Sequence, residues 1–489
     1  MILLLRQFDS SGARPARLVL RVRAKLRRLG AVPARKLSVL TLLACLEGVN
    51  ALPAEMRILG HLPAAGGTPM AVSRRRLHTN ESRPSGPSDD WVFPNFAQRL
   101  SLQIANPGRE PIRTLVTLPV IATAGIAPGF PGKLAVVLIT NPPGSTYAWT
   151  VVPSQSDDLD GDGKADEFEF PAELGAGERR RVYVYYSTTL SGSVTYPQRA
   201  HASHAYGYNH ETAALESEII GYRTYGGFLL DVQARAGGHP GLYNDLVGFL
   251  SAHEDSELGK DVFHVGDTLG LGGLFLRAGK MIYRPPFNVP DYAHRPSPEQ
   301  VPCYRVLADG PLRAIVEAHM ERWTIGEDEV SLRARYEVDA SERSVRCFVR
   351  LLPVRLAPSH SYQVGTGVRD LPSERISRAA GLIALEGGQS IMLGRLGLAV
   401  YYDSAEAMPS EPVLTPDGTN QVIVFRKPLT AGTALEAQYS VAAAWSGSGG
   451  GEPLAQLGFE SRQVSAHVVV RDERLERTPL PERVEGEAD

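Results

Sequence analysis

The sequence predicts an all-β protein, with a small β-sandwich followed by a much larger pair of stacked antiparallel sheets. Beyond residue 91, apolar and polar residues alternate with a period of two, as in Ser331-Leu-Arg-Ala-Arg-Tyr-Glu-Val338. The chain contains 48 Gly and 36 Pro, which interrupt these segments about every ten residues. No segment of more than about 12 residues has the period of an amphipathic helix.

Residues 1–51 have the composition of an export signal. Ten basic residues and one acid occupy positions 1–36, and a short apolar run follows at positions 37–44. Leu42-Leu-Ala-Cys45 resembles a lipoprotein box, with Cys45 as a lipid anchor, whereas Val49-Asn-Ala51 suits ordinary signal cleavage. A disordered basic leader, from a start codon assigned too early, is the third interpretation. We expect export to the periplasm, the outer-membrane surface or the exterior.

The remaining chain is acidic and long enough for two domains. Without positions 1–36 it holds 41 basic and 53 acidic residues, a net charge of −12. Such a surface repels phosphate, so nucleic-acid binding is not expected. The absence of an apolar run of about 18 residues excludes a multi-span membrane protein.

The domain boundaries follow from composition and from the spacing of the strand patterns. A disordered linker is predicted for residues 52–92, an immunoglobulin-like sandwich for 93–192, a β supersandwich with the catalytic site for 205–472, and a flexible tail for 473–489.

The most specific local motif is an acidic loop, Asp158-Leu-Asp-Gly-Asp-Gly-Lys-Ala-Asp-Glu-Phe-Glu169. Its spacing matches the twelve-residue EF-hand loop, with Gly163 at the turn, but the flanking segments resemble strands. We therefore expect a structural Ca²⁺ site between strands, and the alternative is an acidic turn without metal. The predicted ligands are Asp158, Asp160, Asp162, the Lys164 carbonyl, Asp166 and Glu169.

Four segments, in order, resemble a family of bacterial polysaccharide-utilisation proteins. Pro153-Ser-Gln155 with the acidic loop is similar to its Q…D-x-DGDG-x-x-DE signature. The other three segments are Leu215-Glu-Ser-Glu-Ile-Ile-Gly-Tyr-Arg-Thr-Tyr-Gly226, the stretch from His253 to Gly273, and Asp309-Gly-Pro-Leu-Arg313. The family is domain-of-unknown-function family four-eight-six-one, which is distantly similar to exo-rhamnogalacturonan lyases. Leu215-Glu-Ser-Glu-Ile219 departs from the family's Trp-Glu-Asn-Asp-Arg.

The resemblance implies a galactose-mutarotase-like antiparallel supersandwich that acts on acidic, uronate-containing oligosaccharides or polysaccharides. The implied reaction is β-elimination by a lyase or dehydratase. Elimination needs a cation for the carboxylate, a base and a proton donor. Arg223 and Arg313 are the candidate cations, His253 or His264 the base, and Tyr225 or Tyr243 the proton donor.

Three acids are candidates for binding the sugar. Glu216 and Asp261 suit hydrogen bonds to its hydroxyls, and Asp267 lies in the neighbouring Gly-rich run. Two other functions stay open: a non-catalytic glycan-binding protein on the same scaffold, and a glycoside hydrolase with Glu216 and Asp261 as paired carboxylates.

Histidines and cysteines leave two further questions open. His201, His204 and His210 fit either a transition-metal site or a linker with scattered histidines. Cys303 and Cys347 are able to pair if the protein is exported, although their spacing does not establish that they lie close together. The oligomeric state cannot be read from the sequence.

Overall fold

The computed structural model describes residues 91–190, 194–207, 210–225, 228–235, 259–286, 301–388, 395–446 and 469–477, together with Pro453, Gln456 and Leu457. Strands dominate these residues, and all pairings between the named strands are antiparallel. The all-β prediction, with a smaller sandwich before a large supersandwich, is therefore confirmed. The predicted leader and linker lie outside the described residues.

The first sandwich packs a five-stranded sheet against a three-stranded sheet. The five-stranded sheet consists, in spatial order, of β27 (Val469–Arg477), β1 (Gln98–Ala105), β7 (Arg179–Ser187), β3 (Leu134–Thr140) and β4 (Trp149–Val152). The three-stranded sheet consists of β2 (Ile112–Pro119), β6 (Glu167–Leu174) and β5 (Gln155–Asp157), and the short helix α1 (Val120–Thr123) follows β2. Alternating residues such as Leu100, Phe170 and Val184 are fully buried between the sheets.

The supersandwich begins with an eleven-stranded sheet. Its main path is β23 (Ala407–Thr415), β24 (Gly418–Phe425), β19 (Ser361–Arg369), β13 (Leu271–Ala278), β11 (Leu229–Arg235), β10 (Ile220–Tyr225), β9 (His210–Ser217) and β8 (Ala200–Gly207). Three short strands complete it: β12 (Gly259–Asp261) on β11, β14 (Met281–Tyr283) on β13, and β25 (Leu429–Thr430) on β19.

An eight-stranded sheet forms the other layer. Its order is β15 (Cys303–Asp309), β16 (Arg313–Ile325), β17 (Asp328–Asp339), β18 (Ser344–Arg355), β26 (Leu435–Trp445), β22 (Arg395–Tyr401), β21 (Leu382–Gly388) and β20 (Arg375–Ala379). Along β17, Leu332, Ala334 and Tyr336 enter the core shared with the eleven-stranded sheet. Arg333 and Arg335 alternate with them and lie on the other face. The period of two therefore sets which face each side chain occupies.

Two predicted boundaries differ from the structure. The supersandwich starts at Ala200 rather than at residue 205, because the histidine-containing stretch forms β8 and β9 rather than a linker. Strand β27 reaches Arg477 and pairs with β1, so the predicted tail at 473–489 is wrong up to residue 477. The charged composition suggested fraying, but these residues form an edge strand of the five-stranded sheet.

Neither Cys303 nor Cys347 forms a disulfide within the part of the chain that the structure describes. Tyr304 and Cys347 face the core, so Cys303 lies on the opposite face of the same sheet. Strands β16 and β17 separate the two cysteines, which excludes a disulfide between them in this fold. Within the described ranges, no helix is long and apolar enough to cross a membrane.

Ending the chain at residue 468 removes β27 and leaves β1 as an unpaired edge. Val470 is buried in the core of the first sandwich, so we expect a loss of at least about 2 kcal/mol of unfolding free energy. Urea unfolding of this chain and of a control chain that ends at residue 477 measures the difference in unfolding free energy. Equal midpoints for the two truncated chains would show that β27 contributes nothing.

Candidate functional site

The two sandwiches meet at a single buried guanidinium. Arg313 opens β16 directly after the Asp309-Gly-Pro-Leu turn, and only 2% of its surface is exposed. Its Nε lies 2.7 Å from Asp157 Oδ2, its Nη2 2.6 Å from Glu167 Oε2, and its Nη1 2.6 Å from Glu169 Oε1. A fourth carboxylate, Glu337, is 3.9 Å from Nη1.

Three of these acids lie on the strand pair β5–β6: Asp157, Glu167 and Glu169. Asp157 is opposite Glu167 and Gln155 is opposite Glu169, so all four side chains project from one face. Gln155 Oε1 accepts hydrogen bonds from the backbone amides of Leu312 (2.8 Å) and Arg313 (3.1 Å). Gln155 Nε2 donates to the Arg313 carbonyl at 3.1 Å and to Asp157 Oδ1 at 2.8 Å. We call this group the Arg313 clamp.

Gly310 has a steric role in the clamp. A Cβ atom at this position would lie 2.5 Å from the Gln155 amide carbon and oxygen, closer than real Cβ contacts. Any larger residue would therefore push Gln155 away from the Arg313 backbone. Gln155 and Gly310 lie in two of the four segments that resemble the family. These two segments thus meet across the junction between the sandwiches.

The pKa values of Glu169 and Glu337, two acids beside Arg313, shift in opposite directions. Burial raises the pKa of Glu169 well above its ordinary value, because it outweighs the charge of Arg313. Burial acts the same way on Glu337, but the charges of Arg335, Arg313 and Arg346 outweigh it and lower the pKa of Glu337 to about 2. Of these two acids, Glu169 therefore holds a proton more readily than Glu337.

The predicted role of Arg313 needs correction. All three guanidinium nitrogens contact carboxylates of the chain itself and the residue is buried, so Arg313 is not accessible to a substrate carboxylate. Arg313 joins the sandwiches instead. Sequence alternation at the start of a strand did not distinguish a buried ion pair from a substrate ligand.

A second polar cluster lies on the outer face of the eleven-stranded sheet. Arg223 Nη2 is 2.7 Å from Asp231 Oδ2 and 3.3 Å from Asp261 Oδ2. Gln233 Nε2 donates to Asp231 Oδ2 at 3.2 Å, and the backbone amides of Val232 and Phe263 donate to the two acids. We call Asp231 and Asp261 the acid pair.

Asp231 and Asp261 share one cation, Arg223, and both side chains are largely shielded from solvent. Burial, together with the charge of Asp261, raises the pKa of Asp231 to about 8 despite Arg223. Burial also raises the pKa of Asp261, against the charge of Arg223. Burial therefore favours a proton on the acid pair, and Asp261, 12% exposed against 1% for Asp231, is its more exposed member.

Glu216 belongs to the same polar face. It is fully buried and lies opposite Gly221, which is in turn opposite Gln233. A Cβ at Gly221 would approach the Gln233 Cβ to 3.3 Å, so glycine leaves room for its two long neighbours. Glu216 and Asp261 are thus separated by β10 and β11, rather than adjacent.

His264 and Asp267 lie three and six residues after Asp261, in the segment between β12 and β13. His264 is exposed, and its carbonyl accepts a hydrogen bond from Arg369 Nη1. Arg369 Nη2 donates to the Asp417 carbonyl at 3.5 Å, whereas Asp417 Oδ2 accepts from the Asp267 amide at 2.7 Å. Asp267 Oδ1 also pairs with Arg284 Nη2 at 2.7 Å.

Some predicted residues are not tested. His253 and Tyr243 lie outside the described residues. Tyr225 ends β10, but its side chain is not among those described. The roles assigned to these three residues stay predictions.

The acidic loop connects β5 to β6 and gathers three of its six predicted ligands. Carboxylate oxygens of Asp158, Asp160 and Asp166 all lie within 4.8 Å of one another. Burial raises the pKa of Asp166, and the charges of Asp160 and Asp158 add to this effect. These three side chains, with the Lys164 carbonyl, are the groups able to hold a cation.

Two predicted metal ligands are directed elsewhere. Glu169 is fully buried and accepts hydrogen bonds from Arg313 and from Thr117 Oγ1, at 2.7 Å, so its prediction as the bidentate ligand is corrected. Asp162 Oδ2 lies 3.3 Å from Lys164 Nζ, and Asp162 Oδ1 accepts from the Lys164 amide. Glu169 is in β6, where the strand geometry directs it to Arg313.

Of the three predicted histidines, only the side chains of His201 and His204 are described, and these two do not cluster. His201 and His204 are three residues apart on β8 and therefore project to opposite faces of the sheet. His201 Nδ1 lies 2.8 Å from Asp309 Oδ1. A metal site shared by these two residues is excluded by this geometry.

The family "Domain of unknown function (DUF4861)" matches residues 145–456. The match covers more than half of the chain, including the Arg313 clamp and the acid pair. The chain belongs to this family. Nothing in the comparisons relates it to rhamnogalacturonan lyases, and no curated protein matches the sequence.

Two solved structures resemble this DUF4861 protein distantly. One is an α-mannosidase from Enterococcus faecalis V583, with 10% sequence identity and a TM-score of 0.38, over 78% of this chain and 46% of that chain. The other is a glycosyl hydrolase family 38 protein from Enterococcus faecalis, with 9% identity and a TM-score of 0.39, over 78% and 48%. The chain spans about half the length of each. Such a likeness gives no information on activity or substrate.

Sequence reasoning missed Asp231 and Arg369. Asp231 had a signal, because Arg223 and Asp231 are each four residues from Gly227, as expected for cross-strand partners in a hairpin. Arg369 had none, because more than one hundred residues separate it from His264 and nothing local indicates their contact.

Replacing Arg313 with Met leaves three buried carboxylates without their cation. We expect a loss of about 3–5 kcal/mol of unfolding free energy. The matched control is Arg355→Met, which removes an exposed ion pair with Glu329 and should cost less than about 1 kcal/mol. Denaturant unfolding of both variants is the measurement, and similar losses in the two would contradict the clamp.

Proposed function

We propose that this DUF4861 protein is a carbohydrate-active enzyme that cleaves acidic oligosaccharides by β-elimination. The acid pair carries the proposal. A protonated carboxyl beside an ionised one provides a proton donor and a proton acceptor, which proton-transfer catalysis requires.

Asp261 is proposed as the base. It is the more exposed member of the pair, and its carboxylate takes the proton next to the uronate carboxylate. The C–H electrons form the new C=C bond as the C–O bond to the leaving sugar breaks. His264, exposed three residues further along the chain, gives a proton to the leaving oxygen. Asp231 keeps its own proton in a hydrogen bond to Asp261 and so limits the pair to one negative charge.

Arg369 is proposed to replace Arg313 as the cation for the substrate carboxylate. Its guanidinium donates to the carbonyls of His264 and Asp417, and no described carboxylate lies within ion-pair distance of it. Burial lowers the pKa of Arg369 more than Asp417 raises it, as expected for a cation without a close counter-charge. A bound uronate would supply that charge.

A non-catalytic glycan-binding protein is the second candidate. The observation that favours it is the low exposure of the acid pair, since Asp231 is only 1% exposed. In that case acidic oligosaccharides bind but remain intact. A glycoside hydrolase would release reducing ends without forming an unsaturated sugar.

Two variants of the acid pair separate its roles. Asp261→Asn removes the base and should lower the elimination rate by about 10²–10⁴-fold. Asp231→Asn preserves a hydrogen-bond donor, so activity persists, but the decline expected above pH of about 8, where Asp231 ionises in the wild type, disappears. The ultraviolet absorbance of unsaturated uronides, with pectic, rhamnogalacturonan and ulvan fragments, is the measurement.

Glu386→Gln is the matched control, because Glu386 is another fully buried carboxylate held by two arginines, in the eight-stranded sheet. It should keep the wild-type rate and pH profile. Binding without absorbance in the wild type would favour the glycan-binding candidate, and equal losses in Asp261→Asn and Glu386→Gln would reduce the acid pair to a structural role.

We also propose that the acidic loop binds Ca²⁺ in a structural role. Three carboxylates within 4.8 Å repel one another, and a cation would relieve this repulsion directly beside the clamp. Export through the signal predicted in residues 1–51 would place the protein where both Ca²⁺ and extracellular polysaccharides are encountered.

Ca²⁺ at a hundredfold excess over its dissociation constant should stabilise the protein by about 2.7 kcal/mol, and a chelator should reverse this. Asp160→Ala should abolish the response. Glu173→Gln, an exposed acid of β6, should retain it. Thermal unfolding with and without Ca²⁺ measures the effect, and an unchanged midpoint in the wild type would contradict a structural calcium site.

A further inference from the structure

We propose that a cleft at the junction of the two sandwiches binds a neutral sugar unit. The cleft has a volume of about 480 Å³, within the range of small-molecule sites. Three segments line it: residues 154–158 with β5, residues 194–196, and residues 307–311 at the turn before Arg313. The Arg313 clamp closes its inner end, so the walls come from both sandwiches.

The cleft presents hydrogen-bonding groups that the protein does not use. The hydroxyls of Ser156 and Thr195 make no hydrogen bond with any described residue, whereas the Tyr196 and Ser154 hydroxyls interact with each other. Asp309 accepts three hydrogen bonds, all through Oδ1, from Gln198, His201 and the Ala202 amide. Oδ2 makes none with the described residues. Hydroxyls and a carboxylate oxygen in one cleft complement the hydroxyls of a sugar.

The charge of the cleft selects against an acidic ligand. Asp157, Asp158 and Asp309 line it, and no basic residue does. Asp157 is neutralised by Arg313 at 2.7 Å and Asp309 lies 2.8 Å from His201 Nδ1, while Asp158 belongs to the candidate cation site of the acidic loop. A uronate would therefore be repelled, whereas a neutral sugar would meet acceptors without a charge penalty. The cleft thus prefers a neutral sugar, whereas the acid pair and Arg369 are proposed to bind an acidic one.

A row of residues on the eleven-stranded sheet runs from His201, which contacts Asp309 at the cleft, to the acid pair. His201, held by Asp309, is opposite Glu216, and the same row continues through Gly221 and Gln233 to Asp261. Four strand spacings of about 4.8 Å separate His201 from Asp261, roughly 19 Å. This separation makes the cleft a second site, able to hold a neutral residue of the same chain or a separate sugar.

The test is calorimetric titration of the full chain with neutral trisaccharides of galactose, glucose, mannose, rhamnose and xylose, and with trigalacturonate. We expect at least one neutral trisaccharide to bind, and Thr195→Trp, which fills the cleft, to abolish that binding. The double variant Ser156→Ala with Thr195→Val keeps the cleft open and should weaken it roughly tenfold. Leu414→Trp adds a tryptophan at a position that is 79% exposed elsewhere and should bind normally.

The same titration in Asp261→Asn separates this inference from the proposed reaction, because cleft binding should be unchanged there. Failure of all the neutral trisaccharides to bind the wild type would overturn the proposal. Binding that survives Thr195→Trp, or binding of trigalacturonate in the cleft that Thr195→Trp removes, would overturn it as well.

Discussion

The architecture of this protein depends on one buried guanidinium. Arg313 sits at the start of a supersandwich strand, and the three carboxylates that hold it come from the strand pair β5–β6 of the first sandwich. Removing such a charge from water is costly, so it is tolerated only when every nitrogen has a partner. The Arg313 clamp therefore specifies how the two sandwiches meet. It also fixes the turn at Asp309 and Gly310, and with it the wall of the junction cleft.

The Arg313 clamp gives the residues of the sequence signature a structural role. Gln155, Asp157, Glu167 and Glu169 bracket the acidic loop, and the same strand pair carries the loop at its tip and the clamp along its strands. The acidic loop and the clamp are thus mechanically connected, so a cation in the loop would stiffen the junction. The signature residues are structural on this account, and the chemistry is assigned to the outer face of the eleven-stranded sheet.

The period of two predicted the sheets well, because each strand has one face in a core and one face outside it, as in β17. The prediction was weaker at strand ends and edges. Glu169 was assigned to the loop because its spacing fits a calcium ligand, yet its position in β6 directs it to Arg313. The contact between Arg369 and His264 depends on the pairing of distant strands, which no local pattern encodes. Asp231, by contrast, was readable from the hairpin geometry around Arg223.

A double-mutant cycle between Arg313→Met and Asp157→Asn tests the central interaction most directly. It measures the coupling free energy across the junction from the unfolding free energies of the wild type, the two single variants and the double variant. The account predicts a coupling of about 1–3 kcal/mol, because each group loses its buried partner in the single variants. Additive losses, with no coupling beyond about 0.5 kcal/mol, would contradict the claim that this guanidinium joins the two sandwiches.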